Sequence, residues 1–158
     1  MKILALDPAT NCGWAVGSKD ERYIGGTWDC SVKRDESGGF RLLKLKANLV
    51  RTLQDFGVTV VVFEAVRMAS KRTHAHAMIV QSELQGVIKT VLDEWEPRIP
   101  YKGLSSSEIK KHASGNGQCN KERMLSLARA KWGMDAIVDD NQADAMWLLD
   151  LAIARYAV

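Results

Sequence analysis

The 158-residue chain is long enough for one domain with a substantial core and too short for two ordinary ones, so it reads as a single domain over residues 1–158. A hydrophobic fraction of 46% with 26% charged residues excludes a mainly disordered or fibrous chain, and no apolar run is long enough to span a bilayer. The net charge of +3 is too mild to name a partner by itself.

In chain order, Ile3-Leu4-Ala5-Leu6 and Gly13-Trp14-Ala15-Val16 flank a tight turn and read as two strands of a hairpin. The first ends on Asp7, and Pro8 cannot donate a further ladder hydrogen bond, so Asp7 is expected at a sheet edge facing solvent. An aspartate there either opens an Asp-Pro turn or meets a cation that offsets its charge. The start Met-Lys-Ile-Leu-Ala-Leu-Asp is charged too early for a secretory segment, which points to the cytoplasm, of a bacterium or an infected host cell, and to reduced thiols. Cys12, Cys30 and Cys119 are odd in number and far apart, and suggest neither a disulfide framework nor a structural zinc site.

Arg22 to Cys30 has the content of a third, edge strand, and Ser37-Gly38-Gly39 breaks the chain after it. Leu42, Leu43, Leu45, Leu49, Val50 and Leu53 recur at helical spacing from Phe40 to Phe56, with Arg41, Lys44, Lys46 and Arg51 interspersed, and Gly57 closes this amphipathic helix. Val58 to Glu64 is almost continuously apolar, as a central strand covered on both faces would be, and it too finishes on a carboxylate. After a basic connector from Arg67 to His76, a second helix runs from about Ala77 to Glu94, with Met78, Ile79, Leu84, Val87, Ile88, Val91 and Leu92 inward. Arg98 to Tyr101 is a short strand candidate that Pro100 makes irregular.

Ser105-Ser106-Ser107-Glu108 offers an N-cap to a brief helix that Ser114-Gly115-Asn116-Gly117 interrupts; Lys121 to Trp132 is helical again. The last helix spans Asn141 to Tyr156, packing Ala145, Met146, Leu148, Leu149, Ala152 and Ile153 inward. This order predicts a five-stranded mixed α/β sheet with helices on both faces. A right-handed crossover sets the Glu64 strand beside the first strand, bringing Asp7 and Glu64 to neighbouring points. Two such carboxylates repel unless positive charge lies between them, and hard oxygen donors suit magnesium or manganese. Asp140 and Asp144, at i and i+4, share a face of the last helix and could complete the cage, whereas Asp139 reads as the helix N-cap.

Four segments in one order, Asp7-Pro8-Ala9-Thr10 with Gly13-Trp14-Ala15, Phe63-Glu64, Ser114-Gly115-Asn116-Gly117 with Lys121-Glu122, and Asp140-Asn141-Gln142-Ala143-Asp144-Ala145, resemble the RuvC family of Holliday-junction resolvases, most closely its phage-encoded branch. The resemblance implies a ribonuclease H-like fold, a homodimer, and divalent-metal-dependent nicking of two opposed strands of a four-way DNA junction. It implies Asp7, Glu64 and Asp144 as metal-binding acids, with Asp140 as the fourth and Asn141 as its alternative. Two magnesium or manganese ions per site would activate a water and stabilise the leaving 3′ oxygen, with Asp7 bridging them. Lys121 and Lys110 match basic positions that touch scissile or flanking phosphates, and Arg67, Lys71 and Arg72 would add phosphate contacts. Bacterial members carry an aromatic used at the junction crossover where this chain has Arg67, followed by Met68. His74 and His76 read as exposed or DNA-facing.

Three other readings stand beside this one. A ribonuclease H-like DNA-binding or scaffolding protein that no longer cuts would have no reason to keep like charges clustered. A sugar-kinase or actin-like nucleotide domain wants a second glycine-rich phosphate loop that Gly115-Asn116-Gly117 hardly supplies. A nuclease acting on branched DNA more broadly shares every feature above.

Overall fold

The computed structural model describes residues 1–66 and 75–157. Arg67, Met68, Lys71, Arg72 and His74 lie outside the described residues. The elements are β1 (Ile3–Asp7), β2 (Asn11–Gly17), β3 (Ile24–Asp29), α1 (Gly39–Phe56), β4 (Val60–Glu64), α2 (Ala75–Glu94), β5 (Tyr101–Leu104), α3 (Ser106–Ser114), α4 (Lys121–Trp132) and α5 (Asp140–Tyr156). Among the described residues no helix is long and apolar enough to cross a membrane.

The strands form one mixed sheet in the order β3-β2-β1-β4-β5. β1 pairs antiparallel with β2, Asp7 opposite Gly13, and parallel with β4, Leu6 opposite Phe63. β5 continues the parallel half, Glu64 opposite Leu104. The expected crossover is therefore present. This is the ribonuclease H-like arrangement, and the alternation of side chains along β1 and β4 divides the core in two. Ile3, Ala5 and Val62 join a buried cluster with α3, α4 and α5; Leu4, Leu6, Val61 and Phe63 join another with α1 and α2. Strands buried on both faces have no polar side to show, which explains their unbroken apolar sequences.

Three expectations need correction. Asp7 does not face solvent at an edge: β1 is the middle strand, and α5 packs across β1 and β2, leaving Asp7 half-buried. The last strand is Tyr101–Leu104, not Arg98–Tyr101. Proline has no N–H for the ladder, and while the Pro100 carbonyl accepts from Val61 N at 3.0 Å, Ile99 N turns back to Leu92 O at 3.2 Å, so regular pairing starts only at Tyr101. Ile79 and Leu43 follow the apolar spacing of their helices but point outward, 54% and 61% exposed.

Helix ends follow local chemistry. Gly57 takes the left-handed conformation (φ 60°) after α1, and Gly115 does so (φ 78°) after α3. Ser105 and Glu108 form a reciprocal capping box at the start of α3, Asn120 caps α4, and Asp139 caps α5. All three cysteines are buried and free, and burial pushes the Cys30 thiol up to about 11.

Candidate active site

Parallel strands release their carboxyl ends on one side of a sheet, and in open α/β sheets that side is where ligands are met. Asp7 ends β1 and Glu64 ends β4, one step beyond the Leu6–Phe63 pair. α5 crosses this side and presents Asp144 from its second turn. Asp7, Glu64 and Asp144 line one cavity of about 120 Å³, closed by Ser106, Ile109 and Lys110 of α3 and by Lys121 and Met124 of α4. Acids from the sheet and the last helix thus meet two lysines from the helices between. Asp140 stands at the rim, its Oδ2 3.7 Å from Lys121 Nζ. That pair is exposed on both sides (70% and 40%), so it steers charge more than it stabilises the fold.

The acids feel one another. Burial, then the charges of Glu64 and Asp144, raise the Asp7 carboxyl well above the usual range, with Asp140 adding to the effect and Lys121 opposing it. Burial raises Asp144 to about 7; Lys121 is the largest opposing influence, Glu64 and Asp140 push it further up, and Lys110 lowers it. Two ammonium groups therefore do not compensate four carboxylates, and the cavity lacks positive charge. Among the described residues no three acids, histidines or cysteines stand close enough to clasp one ion together. The acids share a field and a cavity, not a closed cage. Their chemistry still fits a hard divalent cation: the donors are all carboxylate oxygens, and a positive charge placed between them would offset the burial and the mutual repulsion that raise Asp7 and Asp144.

Residues without chemistry of their own fix where α5 begins. The Asp139 carboxylate accepts Gln142 N (2.8 Å) as an N-cap, and both its oxygens accept Thr27 Oγ1 of β3 (2.8 and 2.9 Å). Gln142, only 4% exposed, accepts Val138 N through Oε1 (2.8 Å) and donates through Nε2 to Gly25 O (3.1 Å) and Ala136 O (2.8 Å). Sequence reading found the Asp139 cap and missed Thr27 and Gln142. The signal for Gln142 was there, a polar residue directly before the buried row of α5, but the partner that ties it to the sheet, Gly25, lies 117 positions away.

Of the sequence candidates, Asp7, Glu64, Asp144, Lys110 and Lys121 share the cavity, and Asp140 borders it through Lys121. Asn141 and His76 lie in a wider groove on the other side of Asp7 and Lys121. Lys44, on the basic stretch of α1, is occupied by the Ser31 carbonyl and by Glu36 at 3.9 Å, and lines neither cavity.

The model of the family described as crossover junction endodeoxyribonuclease RuvC matches residues 3–154. A crossover junction endodeoxyribonuclease RuvC from Ehrlichia chaffeensis is 30% identical over 128 residues, 78% of each chain. Among solved structures, Thermus thermophilus RuvC in complex with a Holliday junction substrate superposes with a TM-score of 0.74 at 20% identity, over 99% of this chain and 94% of its own. The yeast mitochondrial Holliday junction resolvase Ydc2 superposes with a TM-score of 0.60 at 16% identity, over 96% and 77%. These two carry the fold. The family model and the Ehrlichia relative carry more: this chain belongs to the RuvC family of crossover junction endodeoxyribonucleases.

Proposed function

We propose that the protein resolves four-way DNA junctions, acting as a single nuclease domain that pairs into a homodimer so that two sites nick opposed strands. The observation that carries this is the meeting of Asp7, Glu64 and Asp144 with Lys110 and Lys121 around one small cavity at the carboxyl ends of parallel strands. Divalent cations held there, magnesium or manganese and two per site, would supply the positive charge that activates water and stabilises a leaving 3′ oxygen. Asp7 and Glu64 from the sheet and Asp144 and Asp140 from α5 would hold these cations. Lys121 and Lys110 hold the non-bridging oxygens of the scissile phosphate and fix its approach. Asp7 and Asp144 hold their protons more firmly than ordinary carboxylates, so binding of a cation by their ionised forms would be proton-linked. Arg67, Lys71 and Arg72 extend the phosphate contacts along the arms of the junction.

The test is incubation of wild type and Asp7→Asn with a synthetic four-way junction, a Y-fork and plain duplex, in magnesium and in EDTA. Wild type should nick the junction in magnesium alone, and Asp7→Asn should bind it without cutting. Cutting that persists through both EDTA and the substitution overturns the metal mechanism. Binding without cutting by wild type would favour a scaffolding role. The dimer is checked by sedimentation on junction DNA, where a monomer alone would exclude paired nicking by one complex.

A further inference from the structure

Asp150 is the sole ionisable residue of α5 between Asp144 and Arg155, and its neighbours Leu148, Leu149, Leu151 and Ala152 are buried. Its side chain is 14% exposed, and its two oxygens collect donors from three other parts of the fold. Oδ2 accepts from His112 Nε2 of α3 at 2.7 Å and from Lys131 Nζ of α4 at 2.7 Å, and Oδ1 accepts from the Tyr23 hydroxyl, just before β3, at 3.2 Å. The Trp132 and Trp147 rings hold the Lys131 ammonium as well, with centroids 5.0 and 5.1 Å away. Burial pushes the Asp150 carboxyl up, but the bonds from Lys131 and His112 outweigh it and keep it below the usual range. Stability does not explain such a cluster, because apolar side chains can often replace ions taken out of water at no loss. What the cluster adds is direction. Among the described residues α3 has one other side-chain hydrogen bond to α5, from Arg155 Nη1 to Glu108 Oε1 at 2.9 Å, and α4 has one, from Trp147 Nε1 to Met124 O at 3.1 Å. A helix pinned at one point can pivot about it, and Asp150 gives both helices a second point.

We propose that Asp150, with His112 and Lys131, forms a positioning cluster for the nuclease: it aims Lys110 and Lys121 at the phosphate above Asp7, Glu64 and Asp144 and touches no substrate itself. The inference rests on the nuclease reading above, because it needs a scissile phosphate for the two ammonium groups to hold. Every residue of the acidic cavity that is not a carboxylate comes from the two helices so pinned: Ser106, Ile109 and Lys110 from α3, Lys121 and Met124 from α4. On α3, Ser106 and Lys110 (i and i+4) face the cavity, while Glu108 and His112 (i and i+4) reach α5, so a rotation that frees His112 also swings Lys110. On α4, the Trp147 bond ends on Met124, and Lys131 fixes the far end of the same helix. The cluster itself lines neither the acidic cavity nor the groove beside it. Catalysis by orientation is steep in distance, and a misplacement of about 1 Å costs on the order of 100-fold in rate. Junction affinity, spread over many phosphates, should change little.

The test compares Asp150→Asn, His112→Leu and His112→Gln with wild type in thermal melting, in junction binding in EDTA, and in single-turnover nicking of saturated junction in magnesium. Asp150→Asn should nick on the order of 100-fold more slowly and His112→Leu about tenfold, both binding the junction within about threefold of wild type. His112→Gln, whose amide can donate where Nε2 does, should return to within about threefold of the wild-type rate. In a Lys110→Met background His112→Leu should slow nicking by no more than about twofold further, because the residue it acts through is gone. If Asp150→Asn does not fold, the His112 variants and this double-variant comparison decide. Folded variants that nick saturated junction at the wild-type rate overturn the inference and leave the nuclease reading intact. So does a His112→Gln protein as slow as His112→Leu, or a loss that adds in full to that of Lys110→Met. Failure of wild type to nick any junction overturns both.

Discussion

The α-carbon of Gly13 lies against the backbone carbonyl of Asn141: a β-carbon on Gly13 would stand 1.9 Å from that oxygen and 2.6 Å from its carbon. Gly13 is also the residue paired with Asp7 across the β1–β2 ladder. One glycine therefore sets the distance between the strand bearing Asp7 and the helix bearing Asp140 and Asp144. Backbone cannot step aside as a side chain can, so Gly13→Ala must push α5 off the sheet. The expected cost is about 3 kcal/mol or more, the upper part of the overpacking range. At roughly 2–4 °C per kcal/mol for a chain of this size, Tm falls by about 6–12 °C. Junction nicking should fall further than the folded fraction does, because the acids separate. Gly86, inside α2, is the control: a β-carbon there would meet nothing within 4 Å, and Gly86→Ala should gain roughly 0.5–1 kcal/mol. A Gly13→Ala protein with wild-type melting and cutting would refute the close approach.

The acids of the cavity should destabilise the fold when no cation is supplied. Asp144 titrates at about 7 in the folded protein and near 3.9 in an unfolded chain. A raised carboxyl pKa means the folded state holds the proton more tightly, so the group's ionisation weakens folding progressively from about pH 4 until the folded pKa is passed. Asp144→Asn removes this penalty. In EDTA at pH 8 the variant should melt higher than wild type, by on the order of a few kcal/mol in stability, and the two should converge near pH 4. In magnesium the order should reverse, as wild type gains from ion binding and the variant does not. Nicking by the variant should fall by on the order of 100-fold or more. Equal melting at pH 8 in EDTA would show that neither burial nor the neighbouring carboxylates penalise the ionised Asp144.

Lys121 should matter to charge and little to stability. Its ammonium lowers Asp7 and is the largest influence lowering Asp144, while its own ion pair with Asp140 is exposed. Near pH 4 in EDTA, where the buried carboxyls hold their protons, Lys121→Met should leave stability within about 0.5 kcal/mol of wild type. Without the ammonium both carboxyls rise further, so the acidic limb of the pH–rate profile should move to higher pH. The salt dependence of junction binding should lose about one phosphate's worth of slope. An unmoved acidic limb would place Lys121 outside the electrostatics of the site.

What the sequence revealed and what it hid divide along physical lines. The doubly covered strands, the capping residues and the i, i+4 acids of α5 were readable because each depends on neighbours within a few residues. Asp7 and Glu64 were placed side by side by a chirality rule that needs no distant partner. The depth of Asp7 was not readable, since it depends on α5 crossing the sheet more than 100 residues later. Nor were Thr27 on Asp139, Gln142 on Gly25 or Gly13 under Asn141, contacts that only the closed fold creates. β5 was misplaced by three residues because Lys102 and Gly103 are weak strand formers, held in place by β4.

Acid should undo the cap of α3, and with it one wall of the cavity. Ser105 N and Ser105 Oγ donate to Glu108 Oε2 at 2.9 and 2.7 Å, and Arg155 of α5 donates to Oε1 at 2.9 Å. The Ser105 backbone bond first, then the Ser105 hydroxyl and Arg155, hold Glu108 at about 2. A depressed carboxyl pKa contributes stability that is fully present above the unfolded value, near 4.3, and is lost as pH falls toward about 2. α3 has nine residues, too few to persist without tertiary support, and it carries Ser106, Ile109 and Lys110 of the cavity. Glu108→Gln should cost about 0.5–2 kcal/mol at pH 7, the range for a lost cap, kept modest because the pair with Arg155 is exposed. The gap between wild type and variant should hold from pH 7 to about 5 and close steadily below pH 4. Melting curves in EDTA across that range decide it: a gap that stays constant down to pH 3 would mean that ionised Glu108 does not hold the start of α3.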